Sequence, residues 1–158
     1  MIVISEIFLS ELIGLPVTDR SDKEIGTIQD VLVQFGDQYP RVTGVAVRKL
    51  SGGGSGVIMI GDIEVVGSRM VLTQNPADQT AIVPLRSNDV LLARDILDKQ
   101  IVDVDGARVV RVNDGKIARM AGEVRVIAVD VSFSGILRRL KFLPIVQFIS
   151  RLFRIPLS

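Results

Sequence analysis

The groups in this chain with chemistry to offer are 18 carboxylates and 19 lysine or arginine side chains; cysteine and histidine are absent. Thiolate nucleophiles, imidazole bases, disulfides and the usual nitrogen and sulfur metal ligands are thereby excluded. The acids Asp19, Asp22, Asp37, Asp103, Asp105 and Asp114 could offer oxygen ligands to Mg²⁺, which favours such ligands and keeps several waters. Asp103-Val104-Asp105-Gly106 starts like a calcium loop but lacks the later glutamate, so Asp103 and Asp105 are weak metal candidates. Most of these acids fall in polar stretches, where aspartate is favoured because it binds its own backbone. The expectation is turn chemistry, with no resident cofactor and Mg²⁺ as the one conceivable ion. Asp30 and Asp114 occupy equivalent positions, described below, but no nucleophile or base accompanies them, and no catalytic residue is assigned.

The cations divide unevenly. Residues 133–158 hold Arg138, Arg139, Lys141, Arg151 and Arg154 and no acid, leaving 14 basic and 18 acidic residues in the body. Leu140, Phe148 and Phe153 lie among these cations, and the apolar positions from 136 to 153 suit helical spacing, interrupted by Pro144. An apolar face beside arginines suits either a protein partner or an anionic membrane surface. These eight residues form the candidate contact surface. Arg41 with Arg48 and Lys49, and Arg125 with Arg119, could meet phosphates, but only Phe35 and Tyr39 are near to stack on bases. Nucleic acid is therefore disfavoured as a partner, and solvated strand edges explain these cations.

The elements that position these groups come from a repeat. Adding 84 carries Ile13, Val17, Asp19, Asp30, Arg41-Val42 and Val45 onto Leu97, Ile101, Asp103, Asp114, Arg125-Val126 and Val129 without a gap. A repeat of this length implies two copies of one unit rather than a solenoid of short repeats. Val31 is expected to superpose on Gly115. Hydrophobic residues make up 47% but aromatics only 4%, so the cores must be built from Val, Ile and Leu, which suit strands.

In copy one, strands are expected over Met1 to Phe8, Leu15 to Asp19, Ile25 to Phe35, Val42 to Val47, Val57 to Ile60, Ile63 to Val66 and Met70 to Thr73. Leu9-Ser10-Glu11-Leu12-Ile13-Gly14 is expected to form one short helical turn stopped by Gly14. Ser51-Gly52-Gly53-Gly54-Ser55-Gly56 lacks the lysine of a phosphate-binding loop and reads as a hairpin tip or linker. In copy two, Ala81 to Leu85 is expected to replay the opening strand, Leu91 to Leu97 the helical turn, Asp103 to Gly106 a tight hairpin, and Val109 to Val112 and Val124 to Val131 the paired strands. No run of apolar residues is long enough for a membrane-spanning helix.

The motifs Leu9-Ser10-Glu11-Leu12-Ile13-Gly14, Gly26-Thr27-Ile28-Gln29-Asp30-Val31 and Val42-Thr43-Gly44-Val45-Ala46-Val47, with their counterparts in copy two, resemble PRC-barrel domains over roughly residues 5–73 and 88–131. The segment from Leu91 to Asp103, with Gly135-Ile136-Leu137-Arg138-Arg139-Leu140, is similar to the region ahead of the CBS domains in magnesium-transporter-like (MgtE-type) proteins. The resemblance implies small antiparallel β-barrels used for docking, without shared catalytic residues. It implies as partners another protein, or the CBS and transmembrane parts of the same polypeptide.

The expectation is an all-β chain: PRC-barrel-like repeats at residues 1–78 and 79–132, and a basic amphipathic helical tail at 133–158. Function is expected to be that of a non-catalytic interaction module, the cytoplasmic N-terminal part of a magnesium-transporter-like protein. A membrane-surface or divalent-metal-responsive regulator, peripheral to the inner face of the membrane, is the alternative, and an RNA- or ribosome-associated adaptor a further one. Copy two is expected to lack its closing strands, as in a fragment of a longer protein, and to borrow cover from its own tail or from a second molecule in a homodimer.

Overall fold

The computed structural model describes residues 6–66, 70–73, 75–102, 109–133 and 136–140. Copy one opens with β1 (Ile7–Phe8) and the helical turn α1 (Leu9–Leu12), followed by β2 (Pro16–Thr18), β3 (Glu24–Gln34), β4 (Arg41–Lys49) and β5 (Ser55–Met59). A 3-10 turn at Ile60–Asp62 leads to β6 (Ile63–Val66) and β7 (Met70–Thr73). Copy two contains β8 (Val90–Leu91), α2 (Leu92–Asp95), β9 (Gln100–Val102), β10 (Val109–Met120), β11 (Glu123–Phe133) and β12 (Ile136–Leu140). Among the described residues, all strand pairings are antiparallel except β2 with β7. The expected all-β class holds.

The two copies agree in pairing as well as in order. In β3 and β4, Val31 faces Val45, with register shifts between Ile28 and Asp30 and between Leu32 and Val33. In β10 and β11, Gly115 faces Val129, with shifts between Val112 and Asp114 and between Lys116 and Ile117. Every one of these positions is displaced by 84. A bulge re-aims the residues around it, so the same two bulges give both long hairpins the same bend. Val31 and Val45, like their neighbours Ile28, Val42 and Val47, are fully enclosed, as are Val112, Val126 and Val129.

The copies are interlocked. β1 of copy one pairs with β10 of copy two, Ile7 facing Ile117 and Phe8 facing Lys116. Reciprocally, β8 of copy two pairs with β3 of copy one, Val90 facing Val33 and Leu91 facing Leu32. Each opening strand and its helical turn therefore completes the other copy. One continuous core results, holding Leu9, Val31 and Val45 together with Leu92, Val112 and Val126. Where the copies meet along the sheet, β4 and β11 pair at a single position, Arg41 opposite Arg125, and the Val126 amide donates to the Pro40 carbonyl at 2.9 Å. Because 41 and 125 are themselves repeat equivalents, this contact lies on the pseudo-two-fold relating the copies.

Several expectations are corrected. The opening strand of copy two is Val90–Leu91, not Ala81 to Leu85. Within that stretch Val83 instead makes an isolated bridge to Val57 on β5, covering that strand's outer side. A Cβ on Gly56 would collide with Ile82, so glycine lets this segment lie close over the strand. The strand expected over Val109 to Val112 runs on to Met120, through Asp114-Gly115. The hairpin turn is Ala121-Gly122, both at positive φ (+49° and +84°), which a two-residue hairpin loop demands.

The helical tail is also corrected in part. Residues 136–140 form β12, antiparallel to β11, with Val129 facing Leu140 and Val131 facing Arg138. Five residues are too few for helical spacing to decide, and the outer side of β11 offers a row of unpaired backbone groups. Lys141, Phe148, Arg151, Phe153 and Arg154 lie outside the described residues, as do Asp103 and Asp105. The tight hairpin expected at Asp103 to Gly106 likewise falls outside them.

Candidate docking surface and the fate of the charged groups

Asp30 and Asp114 sit just past the first bulge of their hairpins, and each caps the helical turn of the opposite copy. Asp30 Oδ1 accepts from the Ala93 amide at 2.7 Å and Oδ2 from the Arg94 amide at 2.9 Å. Its own strand supplies a third donor, the Val31 amide at 2.8 Å. Asp114 Oδ1 accepts from the Ser10 amide at 3.1 Å and from the Gly115 amide at 2.8 Å, and Oδ2 accepts from the Ser10 hydroxyl. Amides of a first helical turn have no intrahelical acceptor, so a carboxylate there fills an obligatory role. Asp30 is buried; desolvation raises its pKa, against the lowering effect of the three amides. The pair shares a structural role, not an acid–base couple.

The turns are clamped from inside as well. Glu11 accepts from the Phe8 amide at 2.9 Å and Asp95 from the Leu91 amide at 2.8 Å. Burial pushes the Asp95 carboxyl up, but Arg94, bonded to it at 2.8 Å, and the Leu91 amide hold it below the ordinary value. In α1 the Ile13 amide reaches back to Leu9, whereas in α2 the Leu97 amide reaches Leu92. Copy two absorbs one extra residue within this turn, which is why Phe8 matches Leu91 by 83 whereas Ile13 matches Leu97 by 84.

Asp19 is buried in the turn after β2. Its Oδ1 accepts from the Ser21 hydroxyl at 2.7 Å, the Ser21 amide at 2.8 Å and the Lys23 amide at 3.0 Å, while Oδ2 accepts from the Ala77 amide at 3.0 Å. The Ser21 hydroxyl is the main cause of a pKa lowered to about 2. One carboxylate thus closes its own turn and ties down the linker between the copies. Asp22, at φ +63°, adopts a left-handed turn conformation that aspartate tolerates.

At the pseudo-two-fold, Arg125 donates to Asp37 at 3.0 Å and to the Tyr39 carbonyl at 2.7 Å, and pairs with Glu123. Arg41 lies 3.3 Å from Asp37 and 3.3 Å from Glu123. The Arg125 guanidinium is the main cause of a lowered Asp37 pKa, and Asp37 in turn raises that of Arg125. Arg41 and Arg125 are thus neutralised by two acids at the junction of the sheets. Gln34, Phe35, Gly36, Asp37 and Arg41 line a small open cleft beside them, about 130 Å³ in volume. No group of three or more acids among the described residues could hold a metal ion.

Of the expected contact residues, Arg138, Arg139 and Leu140 are brought together on β12. The reciprocal caps and the charge cluster at the pseudo-two-fold were missed. Their only signal in the sequence was repetition: Asp30 with Asp114, and Arg41 with Arg125.

No helix among the described residues is long and apolar enough to cross a membrane. Comparison with curated proteins gives no match. The family model for the PRC-barrel domain matches twice, over residues 4–79 and 88–154. The second match runs on past residue 132 and takes in most of the basic segment. Two matches in register with the interlocked hairpins, together covering most of the chain, place this protein in the PRC-barrel domain family.

Proposed function

We propose that this chain is a non-catalytic docking module that holds other parts of an assembly together. The observation carrying this reading is the fate of its buried and junctional charges. Asp19, Asp30 and Asp114 accept from backbone amides and hydroxyls, and Arg41 and Arg125 are charge-paired with Asp37 and Glu123. Groups consumed in this way stabilise the scaffold, and none of these five is poised to abstract a proton or attack a substrate.

The resemblance of Leu91 to Asp103 and of Gly135 to Leu140 to MgtE-type proteins supports a CBS-containing, magnesium-transporter-like partner on the cytoplasmic side of the membrane. Arg138, Arg139 and Leu140, with Lys141, Phe148, Arg151, Phe153 and Arg154, are the proposed contact residues. Calorimetric titration with a purified CBS-domain pair of that type tests this directly. Saturable binding tighter than about 0.1 mM, or roughly −5.5 kcal/mol, is expected. Silence at that concentration refutes the CBS-containing partner. A melting temperature that rises with Mg²⁺ would favour the metal-responsive alternative instead, since a ligand of the native state must stabilise it.

A further inference from the structure

Arg41 and Arg125 are repeat equivalents that face each other across the pseudo-two-fold, yet their donors are used unequally. Arg125 donates to the Tyr39 carbonyl at 2.7 Å, to Asp37 at 3.0 Å and to Glu123, and its side chain is only 16% exposed. The Arg41 side chain is 44% exposed and makes one hydrogen bond, to Asp37 at 3.3 Å. Its Nε is enclosed and lies 3.3 Å from Glu123, but without an acceptor in hydrogen-bonding position. A guanidinium offers five N–H donors in a planar fork. Both acids of the junction serve Arg125 at closer range, so Arg41 is paired in charge while most of its fork is unfilled.

Arg41 lines the small cleft of about 130 Å³ together with Gln34, Phe35, Gly36 and Asp37. Gly36, at φ +145°, brings no side chain into that space. At the offset of 84 these four neighbours become Ala118, Arg119, Met120 and Ala121. The strands on either side repeat, but the lining of the cleft does not, so the barrel itself does not require it. Pockets for free ligands measure roughly 300–1,000 Å³. A cavity of about 150 Å³ holds a benzene ring, so this cleft takes the end of one side chain.

We propose that the cleft is a docking point for a carboxylate side chain of a partner protein, held by the fork of Arg41. Carboxylate and guanidinium match as planar groups that share two parallel hydrogen bonds. Size selects a single side chain. Charge selects a carboxylate over a phosphate, because a doubly charged group would meet Asp37 and Glu123 beside Arg41. Asp37 stays ionised there, since the Arg125 guanidinium holds its carboxyl below the ordinary value. The partner is taken from the docking function proposed above, whereas the site stands on its own geometry and is tested without any partner protein.

Propionate, which carries the end of a glutamate side chain, probes the intact chain. Sodium propionate is exchanged for sodium chloride at constant ionic strength, while the Arg41 Nε–H and the amides of Gly36 and Asp37 are followed by ¹⁵N NMR. Saturable shifts confined to the cleft are expected, with a Kd on the order of 10 mM for so small a ligand. Arg41→Lys keeps the charge but loses the fork, and should weaken binding about tenfold. Asp37→Asn removes the resident acid that competes for Arg41 and should tighten it. Circular dichroism melting curves show beforehand that each variant is folded. Shifts that fail to saturate, that spread over the whole surface, or that survive Arg41→Lys unchanged overturn the proposal, as does phosphate binding more tightly than propionate. Failure here leaves the docking function to be judged by the CBS-domain titration, and failure of that titration leaves this site intact.

Discussion

Replacing Asp30 probes the interlock between the copies, because one side chain holds the amides of Val31, Ala93 and Arg94. Its pKa is raised, and burial is the main cause. The charge is therefore less comfortable here than in water, and the benefit of the residue lies in where its oxygens sit. Alanine removes every acceptor and orphans three enclosed or half-enclosed donors at about 1 kcal/mol each, or roughly 3 kcal/mol in all. Asparagine keeps one oxygen for Val31 and Ala93 and turns an amino group toward the Arg94 amide, so about 1 kcal/mol is expected. Asp114→Ala, at a more exposed turn, should fall between these two. Urea unfolding followed by circular dichroism measures each difference. At this chain length 3 kcal/mol corresponds to a fall in melting temperature on the order of 10 °C. The order Ala worse than Asn is the decisive result. If Asp30→Asn costs as much as Asp30→Ala, the charge matters more than the acceptor geometry and the reasoning fails; if neither moves stability, the cap contributes nothing. The pH dependence adds a sign. A carboxyl whose folded pKa is raised contributes stability below its unfolded pKa and loses it as pH rises through the folded one. Wild type should therefore lose ground to Asp30→Asn as pH rises through that range.

Asp19 and Asp37 carry the opposite sign. Their lowered pKa values give stability that is present above the ordinary carboxylate value and is lost as pH falls, for Asp19 toward about 2; unfolding curves at pH 5, 4, 3 and 2 should show this loss, and Asp19→Asn should flatten it. Gly26→Ala should destabilise by about 2–3 kcal/mol, because its Cβ would fall against the Arg48 carbonyl oxygen, a backbone atom that cannot swing away; a stability unchanged by this substitution would mean that β3 and β4 can separate there at little cost. Val45→Asp and Val129→Asp each place a carboxylate in a fully enclosed strand face and should each cost at least about 3 kcal/mol. Because the core is continuous, either one should unfold both copies in a single transition, and two separate transitions by calorimetry would contradict the interlock.

The repeat was legible in the sequence because a strand's two faces are set by alternation, and a shift of one residue would turn the whole apolar set outward. Ile28, Val31, Val45 and Val47 recur at 84 as Val112, Gly115, Val129 and Val131, so the equivalence of the two hairpins followed from local pattern, whereas their bulges and the run of β10 on to Met120 did not. The turn role of Asp19 was legible for a similar reason: its partners Ser21 and Lys23 are neighbours in the chain. What local pattern could not express was which copy an opening strand would join. Leu9 and Leu92 both carry a helical turn that fits a barrel of this kind, and two similar barrels offer two similar sites. The choice of the opposite copy is made by the combined pairing of Ile7 with Ile117, Val90 with Val33, and the caps from Asp114 and Asp30. The same holds for Asp114-Gly115, whose turn-like pair is drawn into a strand, and for residues 136–140, whose helical spacing gives way to the open side of β11. Short segments have weak conformational preferences of their own. The backbone groups that tertiary structure leaves unpaired beside them decide what they become.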